Sequence, residues 1–251
     1  MPEGRRLYAI GDVHGEAALL ARLLDRIEGD ARARGPMRTT LVFLGDIIDR
    51  GAGAAALLRG LCGTESADLI FLKGNHEAAL VDVYRGDEEA LSFWIRFGGR
   101  ATLQGLGIDV PAHGRVDPAQ VLWRLRDALD VATIDWLDAL PHSVTIGDYL
   151  FCHAGVRPGV PLRRQDPDDL LWIREPFLSS AAHHGKVVVH GHTIEPDGPV
   201  IRHNRIGIDT GAHEHGVLSA LGLEGREQWV VQAEPRAEAT RARVPVLAHA
   251  I

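Results

Sequence analysis

The sequence has little cysteine and no long apolar segment, and both absences limit what the protein can be. Only Cys62 and Cys152 occur among 251 residues, each in an apolar stretch, so we expect two buried thiols in a reducing compartment rather than a disulfide framework. No apolar run reaches the ~18 residues of a membrane-spanning helix. The segment from Met1 to Leu7 lacks the apolar region of a signal peptide. Together these features predict a cytoplasmic protein.

The chain also lacks an excess of positive charge. With 27 basic and 34 acidic residues its net charge is −7, which argues against a broad surface for nucleic acid or for an anionic membrane. Apolar residues make up 45% and charged residues 24% of the chain, as in average soluble proteins, and one folded domain is expected. An anionic substrate would have to be bound locally, for example by cations held among carboxylates.

Short apolar runs that end in glycine or a polar residue indicate buried strands. Six such runs occupy residues 7–10, 40–44, 69–72, 149–152, 186–189 and 205–208. The leucine spacing of residues 19–27 and the Ala/Leu-rich segment 54–61 predict helices between the first three strands. Helical patterns then dominate residues 88–140, where Asp117 and Pro118 predict a helix start. We expect this block to be a helical insert or lid over the strand ends.

Five short motifs with glycine and metal-binding side chains follow the predicted strands. They are GDVHG (11–15), GDIIDRG (45–51), GNHE (74–77), CHAG (152–155) and GHT (191–193). Carboxylates, an amide and imidazoles are the ligands that Mn, Fe, Zn or Mg ions prefer, unlike a soft thiolate site. The first three motifs are each separated by about one strand-helix-strand unit, so they should meet at neighbouring strand ends.

In this order the motifs resemble the signature set of the calcineurin-like metallophosphoesterases. Within that superfamily, the GDIIDRG and GNHE forms resemble the PPP-type serine/threonine phosphoprotein phosphatases of bacteria and phages. The resemblance implies an α/β sandwich of two mixed β-sheets flanked by helices, with a catalytic domain at residues 1–232 and a C-terminal tail at 233–251. It also implies two divalent metal ions, with Mn²⁺ expected and Fe, Zn or Mg as alternatives.

The same resemblance assigns roles to individual side chains. The expected metal ligands are Asp12 and His14 for the first ion, Asp46 for both ions, and Asn75, His153 and His192 for the second. Asp46 would bridge the ions, because neighbouring cations repel unless anionic oxygen lies between them. His76 would be the general acid that protonates the leaving group, and Asp49 would orient it. Arg50 and Arg174 would bind phosphate oxygens.

The function implied by the resemblance is hydrolysis of phosphate monoesters by a hydroxide that bridges the two metal ions. Phosphoserine and phosphothreonine, extending to phosphotyrosine, are the expected substrates, so the partner would be a phosphorylated protein or a small phosphoester. No nucleic-acid or membrane partner is predicted. A symmetrical dinucleoside tetraphosphate hydrolase is the alternative enzyme, placed second because that family typically lacks an acid at the position of Asp49. A non-catalytic metal-binding interaction module is disfavoured, since no ligand position is lost.

Several residues near the motifs are interpreted as structural. Glu77 is interpreted as an acid favoured at a helix N-terminus, and His190 as support or packing behind His192. Trp94 and Trp172 are expected to pack in the core or the lid rather than to stack on bases.

Overall fold

A computed structural model of the protein describes residues 1–111 and 116–235, and these residues contain ten β-strands. In chain order the strands are β1 (Arg5–Ile10), β2 (Arg38–Phe43), β3 (Leu69–Phe71), β4 (Ser143–Ile146), β5 (Tyr149–Cys152), β6 (Val187–His190), β7 (Val200–Ile201), β8 (Arg205–Gly207), β9 (Leu218–Glu224) and β10 (Glu227–Ala233). They form two five-stranded sheets. The first sheet has the order β10-β9-β1-β2-β3 and the second has the order β4-β5-β6-β8-β7.

Each sheet contains a parallel centre with antiparallel strands beside it. In the first sheet β1, β2 and β3 are parallel, while β9 runs antiparallel to both β1 and β10. In the second sheet β5, β6 and β8 are parallel, while β4 and β7 are antiparallel edge strands. Two mixed sheets flanked by helices in one α/β domain confirm the predicted fold class.

The helices lie between and outside these strands. They are α1 (Ala17–Arg34), α2 (Ala54–Leu61), α3 (Asn75–Arg85), α4 (Glu88–Trp94), α5 (Arg100–Gly105), α6 (Pro118–Ala128), α7 (Val131–Ala139), α8 (Pro167–Trp172) and α9 (Ala212–His215), with a π-helical turn at Ile95–Gly99 between α4 and α5. The buried face of α1 consists of the leucines and the isoleucine whose spacing predicts the helix. At the start of α6, the Asp117 side chain accepts a hydrogen bond from the backbone N–H of Ala119 at 3.0 Å, and Pro118 is the first helical residue.

The core consists of three buried clusters, one between the sheets and one on the outer face of each sheet, because successive side chains of a strand point to opposite faces. Leu7 and Ala9 of β1 pack between the sheets, together with Phe151 of the second sheet. Tyr8 and Ile10 of the same strand pack against the helices. Both faces of β1 are thus buried, which explains why the strand is continuously apolar instead of alternating.

The two sheets converge where their parallel strands end. The backbone N–H of His192, two residues after β6, donates to the Asp12 carboxylate, two residues after β1, at 3.0 Å. The five predicted motifs lie where β1, β2, β3, β5 and β6 end, so all five are at this edge.

The predicted domain boundaries are only partly covered by the described residues. β10 runs to Ala233, one residue beyond the predicted end of the catalytic domain at 232, and that division stays a prediction. Most of the predicted tail, residues 236–251, lies outside the described residues. Within the described part of the chain, no helix combines the length and apolar character needed to cross a membrane.

Candidate metal centre

Two overlapping groups of potential metal ligands lie at the edge where the sheets converge. One consists of His14, Asp46 and His76, and the other of Asp46, His153 and His192, with the ligand atoms of each group within 4.8 Å of one another. Asp46 Oδ2 lies 3.5 Å from Nε2 of His14 and 3.4 Å from Nε2 of His153. Asp46 belongs to both groups, the position that a bridging carboxylate requires.

Asp12 and Asn75 contact members of these groups directly. The Asp12 carboxylate accepts the backbone N–H of His192, and Asn75 Oδ1 lies 2.8 Å from His153 Nε2. Both side chains are almost fully buried. The structure therefore brings all six predicted ligands into one buried cluster, and their roles as ligands stay a prediction.

The ring orientations of two histidines leave a lone pair free for a metal. His14 Nδ1 lies 3.1 Å from the carbonyl oxygen of Ile48, and His153 Nδ1 lies 3.0 Å from that of Leu44. A ring N–H donated to a carbonyl places the lone pair on Nε2, and in both residues Nε2 faces Asp46. Histidines that bind metals are oriented in this way.

Three observations show that the residues fit a pair of divalent cations. His192 Nε2 is buried and has no hydrogen-bond partner. Burial, followed by the neighbouring carboxylates Asp209 and Asp46, raises the pKa of Asp12 well above its usual range, and cations would relieve this crowding of acids. Carboxylate, imidazole and amide donors also suit Mn²⁺, Fe, Zn²⁺ or Mg²⁺.

Backbone strain is concentrated in the same loops. Among the described residues, the non-glycine residues with positive φ are His14 (44°), Asp46 (50°), Asp49 (72°), Arg50 (62°) and His192 (62°). Such conformations typically cost about 1–3 kcal/mol each and persist where the surrounding structure enforces them, commonly at functional sites. All five lie in predicted motifs, which marks these loops as functional.

Burial and neighbouring charges shift the pKa values of the cluster in different directions. Burial lowers the pKa of His14 to about 3 and that of His192 to about 2, so both rings are neutral at neutral pH. Burial also lowers the pKa of His76, but the carboxylates of Asp46 and Asp49 outweigh it and raise the value to about 9. For Asp46, burial opposes ionisation, yet the surrounding imidazoles hold its pKa well below the usual range. The cluster thus combines an anionic carboxylate, that of Asp46, with two neutral imidazoles, those of His14 and His192. For His153, burial lowers the pKa, but the Asp46 carboxylate outweighs it and raises the value.

His76 is held by a fully buried carboxylate. Its Nδ1 lies 2.6 Å from Asp49 Oδ2, and Trp94 Nε1 donates to the same oxygen at 2.6 Å. The hydroxyl of Thr102 donates to Asp49 Oδ1 and accepts from the Asp49 backbone N–H at 3.1 Å. Asp49 therefore contacts the His76 ring and is itself held by residues of α4 and α5. Its predicted role in orienting the acid stays a prediction. Trp94 is buried as expected, but its contact with an acid 45 residues away leaves no signal in the sequence.

Glu77 has a role that the sequence interpretation missed. Its Oε2 accepts the backbone N–H groups of Asp46 and Gly74 at 2.8 and 3.0 Å. Its Oε1 accepts those of Ile47 and Ile48 at 2.9 and 3.3 Å. Glu77 thus shapes the loop that carries the bridging carboxylate, beyond any effect on the helix. The sequence did contain an indication of this role, namely the acidic residue at the end of the GNHE motif.

Asp209 is a second residue that the sequence analysis missed. It is buried beside the cluster, accepts the backbone N–H of Gly211 at 2.9 Å and lines the same cavity as His14 and Asp46. The signal was available, because Asp209 and the glycine two residues later follow a predicted strand, as in the other motifs.

A cavity of about 500 Å³ lies in front of the cluster. Arg50 and Arg174 both line it, as the prediction of phosphate-binding side chains requires, and their binding role stays a prediction. His190 lies outside it: the ring is fully buried, with Nδ1 3.0 Å from the Gly191 carbonyl oxygen and Nε2 3.1 Å from Arg205 Nη1.

Only part of the predicted helical insert at residues 88–140 faces the cavity. Phe93 of α4 and Phe97 of the π-helical turn line it, whereas α6 and α7 pack against α3. A lid function stays a prediction.

Two mixed sheets with overlapping groups of potential Asp and His metal ligands at their strand ends are typical of metal-dependent hydrolases. The sequence model of the calcineurin-like phosphoesterases matches residues 5–217, and the chain belongs to this family.

Several curated relatives are named for the same activity. The symmetrical bis(5'-nucleosyl)-tetraphosphatase of Paracidovorax citrulli (strain AAC00-1) is 33% identical over 156 residues, 61% of this chain and 45% of the relative. The protein of the same name from Methylobacillus flagellatus is 26% identical over 279 residues, 91% of this chain and 95% of the relative. The matched segment thus spans less than half of the Paracidovorax protein.

Solved structures share the fold at low sequence identity. A crystal structure provisionally described as a diadenosine tetraphosphatase superimposes with a TM-score of 0.61 at 22% identity, over 92% of this chain and 94% of the other. A cold-active protein tyrosine phosphatase gives a TM-score of 0.56 at 18% identity, over 89% and 76%. At these identities the similarity shows the fold alone.

The prediction of a serine/threonine phosphoprotein phosphatase is wrong. The curated relatives are named as symmetrical tetraphosphatases, which was the alternative enzyme in the sequence analysis. The preference rested on Asp49, but this buried side chain is bound by His76, Trp94 and Thr102. Because Asp49 is bound by these three residues and is not among the residues that line the cavity, its presence does not discriminate between the two substrate classes.

Proposed function

We propose that the protein hydrolyses dinucleoside tetraphosphates symmetrically in a reaction that depends on two divalent cations. The observation that carries the proposal is the cluster of buried carboxylates and imidazoles opening into a cavity lined by Arg50 and Arg174. The names of relatives that match up to 91% of the chain supply the substrate class. Mn²⁺ as the ion and the cytoplasm as the compartment belong to the same proposal, the latter supported by two free cysteines.

The proposed cation ligands are the six predicted from the sequence. Asp12 and His14 would hold the first cation, Asp46 both, and Asn75, His153 and His192 the second. When bound, the cation pair would supply Lewis acidity and would lower the pKa of a water molecule that attacks phosphorus. Glu77 keeps Asp46 in place through the backbone of its loop.

The remaining side chains bind and orient the phosphate chain. Arg50 and Arg174 present planar guanidinium groups that can bind phosphate oxygens in pairs. Hydrolysis at the central bridge breaks one P–O bond, adds the elements of water and yields two nucleoside diphosphates. His76 is anchored through Nδ1 to Asp49, has its Nε2 3.8 Å from Asp46 Oδ2 and lines the cavity. From this position it would donate a proton to the departing oxygen.

The test is a product analysis on purified, Mn²⁺-supplemented protein. Diadenosine tetraphosphate should give ADP as the only nucleotide product on anion-exchange chromatography, and EDTA should abolish the reaction. The Asp46→Asn variant, purified in parallel, controls for contaminating phosphatases. Formation of ATP and AMP, or faster turnover of a phosphoserine peptide, would contradict the proposal.

A further inference from the structure

Three exposed aromatic side chains lie together beside the candidate metal centre. Phe93, Phe97 and Trp172 are 41%, 44% and 38% exposed. The ring centroids of Phe93 and Phe97 are 4.3 Å apart, and Trp172 meets Phe93 edge-on at 5.6 Å. We call these three residues the aromatic wall. Grouped exposed aromatics are unusual on a protein surface and typically mark a binding site.

Within α4 and the π-helical turn, the backbone directs the Phe93 and Phe97 rings outward. Trp94 of the same segment points inward, is 1% exposed and donates its N–H to Asp49. Phe93 and Phe97 are four residues apart, so they share the opposite face. Gly98 follows with φ of 131°, and its carbonyl oxygen accepts the Arg50 backbone N–H at 3.1 Å. The aromatic wall is thereby joined to the loop that carries the proposed phosphate-binding arginine.

The aromatic wall borders the path from the metal centre into a larger groove. The Trp172 ring lies edge-on to His192, with centroids 6.1 Å apart. The cavity of about 500 Å³ at the cluster adjoins one of about 790 Å³, because Arg50, Phe97 and Ile194 line both. Each cavity falls within the ~300–1,000 Å³ typical of small-molecule sites.

The charges of the outer groove suit an anionic ligand with a flat apolar part. Arg50, Arg96 and Arg100 line it, opposed by one carboxylate, that of Glu214. The guanidinium of Arg96 lies 5.7 Å from the centre of the Phe97 ring. Positive charge beside aromatic faces is the combination that binds nucleotides, because the arginines attract phosphates and the rings stack on bases.

We infer that the aromatic wall binds a nucleobase of the substrate, so that the site selects nucleoside-bearing polyphosphates over base-free ones. The inference rests on the proposed function and deepens it. Stacking of a base on an aromatic side chain contributes about 1–3 kcal/mol, whereas inorganic phosphates offer these rings nothing. The wall therefore governs recognition, and the motif residues act on the phosphate chain that every candidate substrate shares.

The test compares a product that has a base with one that lacks it. Binding of ADP and of inorganic pyrophosphate to the full-length, Mn²⁺-supplemented protein is measured by calorimetry for the Trp172→Ala, Trp172→Phe and Phe93→Ala variants. We expect Trp172→Ala and Phe93→Ala to weaken ADP binding about tenfold and to leave pyrophosphate binding unchanged, while Trp172→Phe retains most of the ADP affinity. The control is Trp123→Ala, since Trp123 is 68% exposed on α6 and does not line the groove.

Failure of the inference and failure of the proposed function give different results. If diadenosine tetraphosphate is cleaved to ADP alone but the variants bind ADP like the wild type, the wall does not bind a base and the function stands. If the variants lose ADP binding selectively but the products are not ADP alone, the wall binds a base and the function is wrong. Equal weakening of ADP and pyrophosphate would show that the wall only shapes the metal centre, and would overturn the inference.

Discussion

Asp46 contacts several residues of the site through its carboxylate and its backbone N–H. Its Oδ2 faces three imidazoles, and its Oδ1 accepts the backbone N–H of His76 at 3.0 Å. Its backbone N–H in turn is bound by Glu77 at 2.8 Å. One carboxylate thus connects the proposed ligands, the proposed acid and the loop that carries them.

Replacing Asp46 with Asn should reduce the metal content of the protein from two ions to one or none per chain, because the neutral amide no longer offsets the repulsion between cations. Elemental analysis after dialysis against Mn²⁺ measures this. Asp148→Asn is the matched control, since that carboxylate is 86% exposed. Equal metal content in the two variants would refute the bridging role.

Replacing His76 with Asn should lower kcat for diadenosine tetraphosphate about 10²-fold and leave KM nearly unchanged, because proton transfer acts in the transition state. Metal content should equal that of the wild type. Simple aryl phosphates of graded leaving-group pKa give a further check, since the loss should grow as the leaving group becomes poorer. A loss independent of the leaving group would mean that His76 is not the acid.

Replacing Glu77 with Gln should lower the free energy of unfolding by about 1–3 kcal/mol, because an amide nitrogen cannot accept the buried backbone N–H groups that one carboxylate oxygen accepts. Urea unfolding measures this change. Glu89→Gln is the control, as Glu89 is an exposed acid in the first turn of α4. A variant as stable as the control would show that the loop does not depend on Glu77.

At the residue scale, the sequence motifs name the side chains that meet in the cluster, because each motif directly follows a strand. What they miss are contacts formed only by folding. Trp94 and Thr102 reach Asp49 from α4 and α5, and nothing in the local sequence of either residue indicates an acid as its partner. Glu77 was visible in the sequence, but its four backbone partners belong to loops.

At the scale of elements, the motif loops pack backbone against backbone. A Cβ on Gly45 would lie 2.5 Å from the backbone nitrogen of Gly74, and one on Gly191 would lie 2.0 Å from Asp12 Oδ1. The GDIIDRG and GNHE loops can approach each other, and the GHT loop can approach Asp12, because these positions lack a side chain.

Replacing Gly191 with Ala should displace the Asp12 carboxylate and weaken Mn²⁺ binding at least tenfold while the chain still folds. Metal titration followed by calorimetry measures the affinity, and circular dichroism confirms the fold. Gly29→Ala is the control, because Gly29 lies within α1 with nothing near its Cβ position, and alanine favours helix there. Unchanged Mn²⁺ affinity in Gly191→Ala would remove Asp12 from the ligand set.

The sequence pattern of each strand decides whether the strand could be predicted. Apolar runs that end in polar motifs identify β1, β2, β3, β5, β6 and β8, the strands that deliver site residues. β9 is buried along most of its length, but no polar motif follows it. Its apolar sequence pattern is interrupted by Gly222, where the Trp229 ring occupies the space that a side chain would need. β4 and β7 are partly exposed edge strands, which lack the continuous apolar pattern.

At the scale of the whole molecule, the proposed cations would join the two sheets. Asp12, Asp46 and Asn75 follow strands of the first sheet, whereas His153 and His192 follow strands of the second. The first sheet supplies all the ligands proposed for the first cation, whereas the second cation would need ligands from both sheets.

Bound Mn²⁺ should therefore stabilise the folded protein, by about 2.7 kcal/mol at a free concentration 100 times its dissociation constant. Thermal unfolding with Mn²⁺ and with EDTA measures the shift in Tm. The shift should be clearly smaller in Asp46→Asn and should persist in Asp148→Asn. Identical Tm values for the wild type in the two conditions would count against a metal centre between the sheets.

The substrate was the part that the sequence failed to predict, and the reason is physical. The motifs hold groups that act on a phosphoryl centre, and every substrate of such enzymes contains one. Discrimination would depend on the surrounding groove, where Phe93 and Phe97 come from α4 and the π-helical turn and Trp172 comes from α8. These three aromatic residues form no recognisable motif in the sequence.

The strand order also determines when the first sheet can be completed during synthesis. β1 is the central strand of that sheet, yet its neighbour β9 is translated more than 200 residues later, as the ion pair of Arg6 with Glu224 across a separation of 218 positions shows. A nascent chain therefore leaves the ribosome with one edge of β1 unpaired and able to pair with other chains. We expect this long-range pairing to slow folding, because the entropy cost of closing the loop comes before the contacts form.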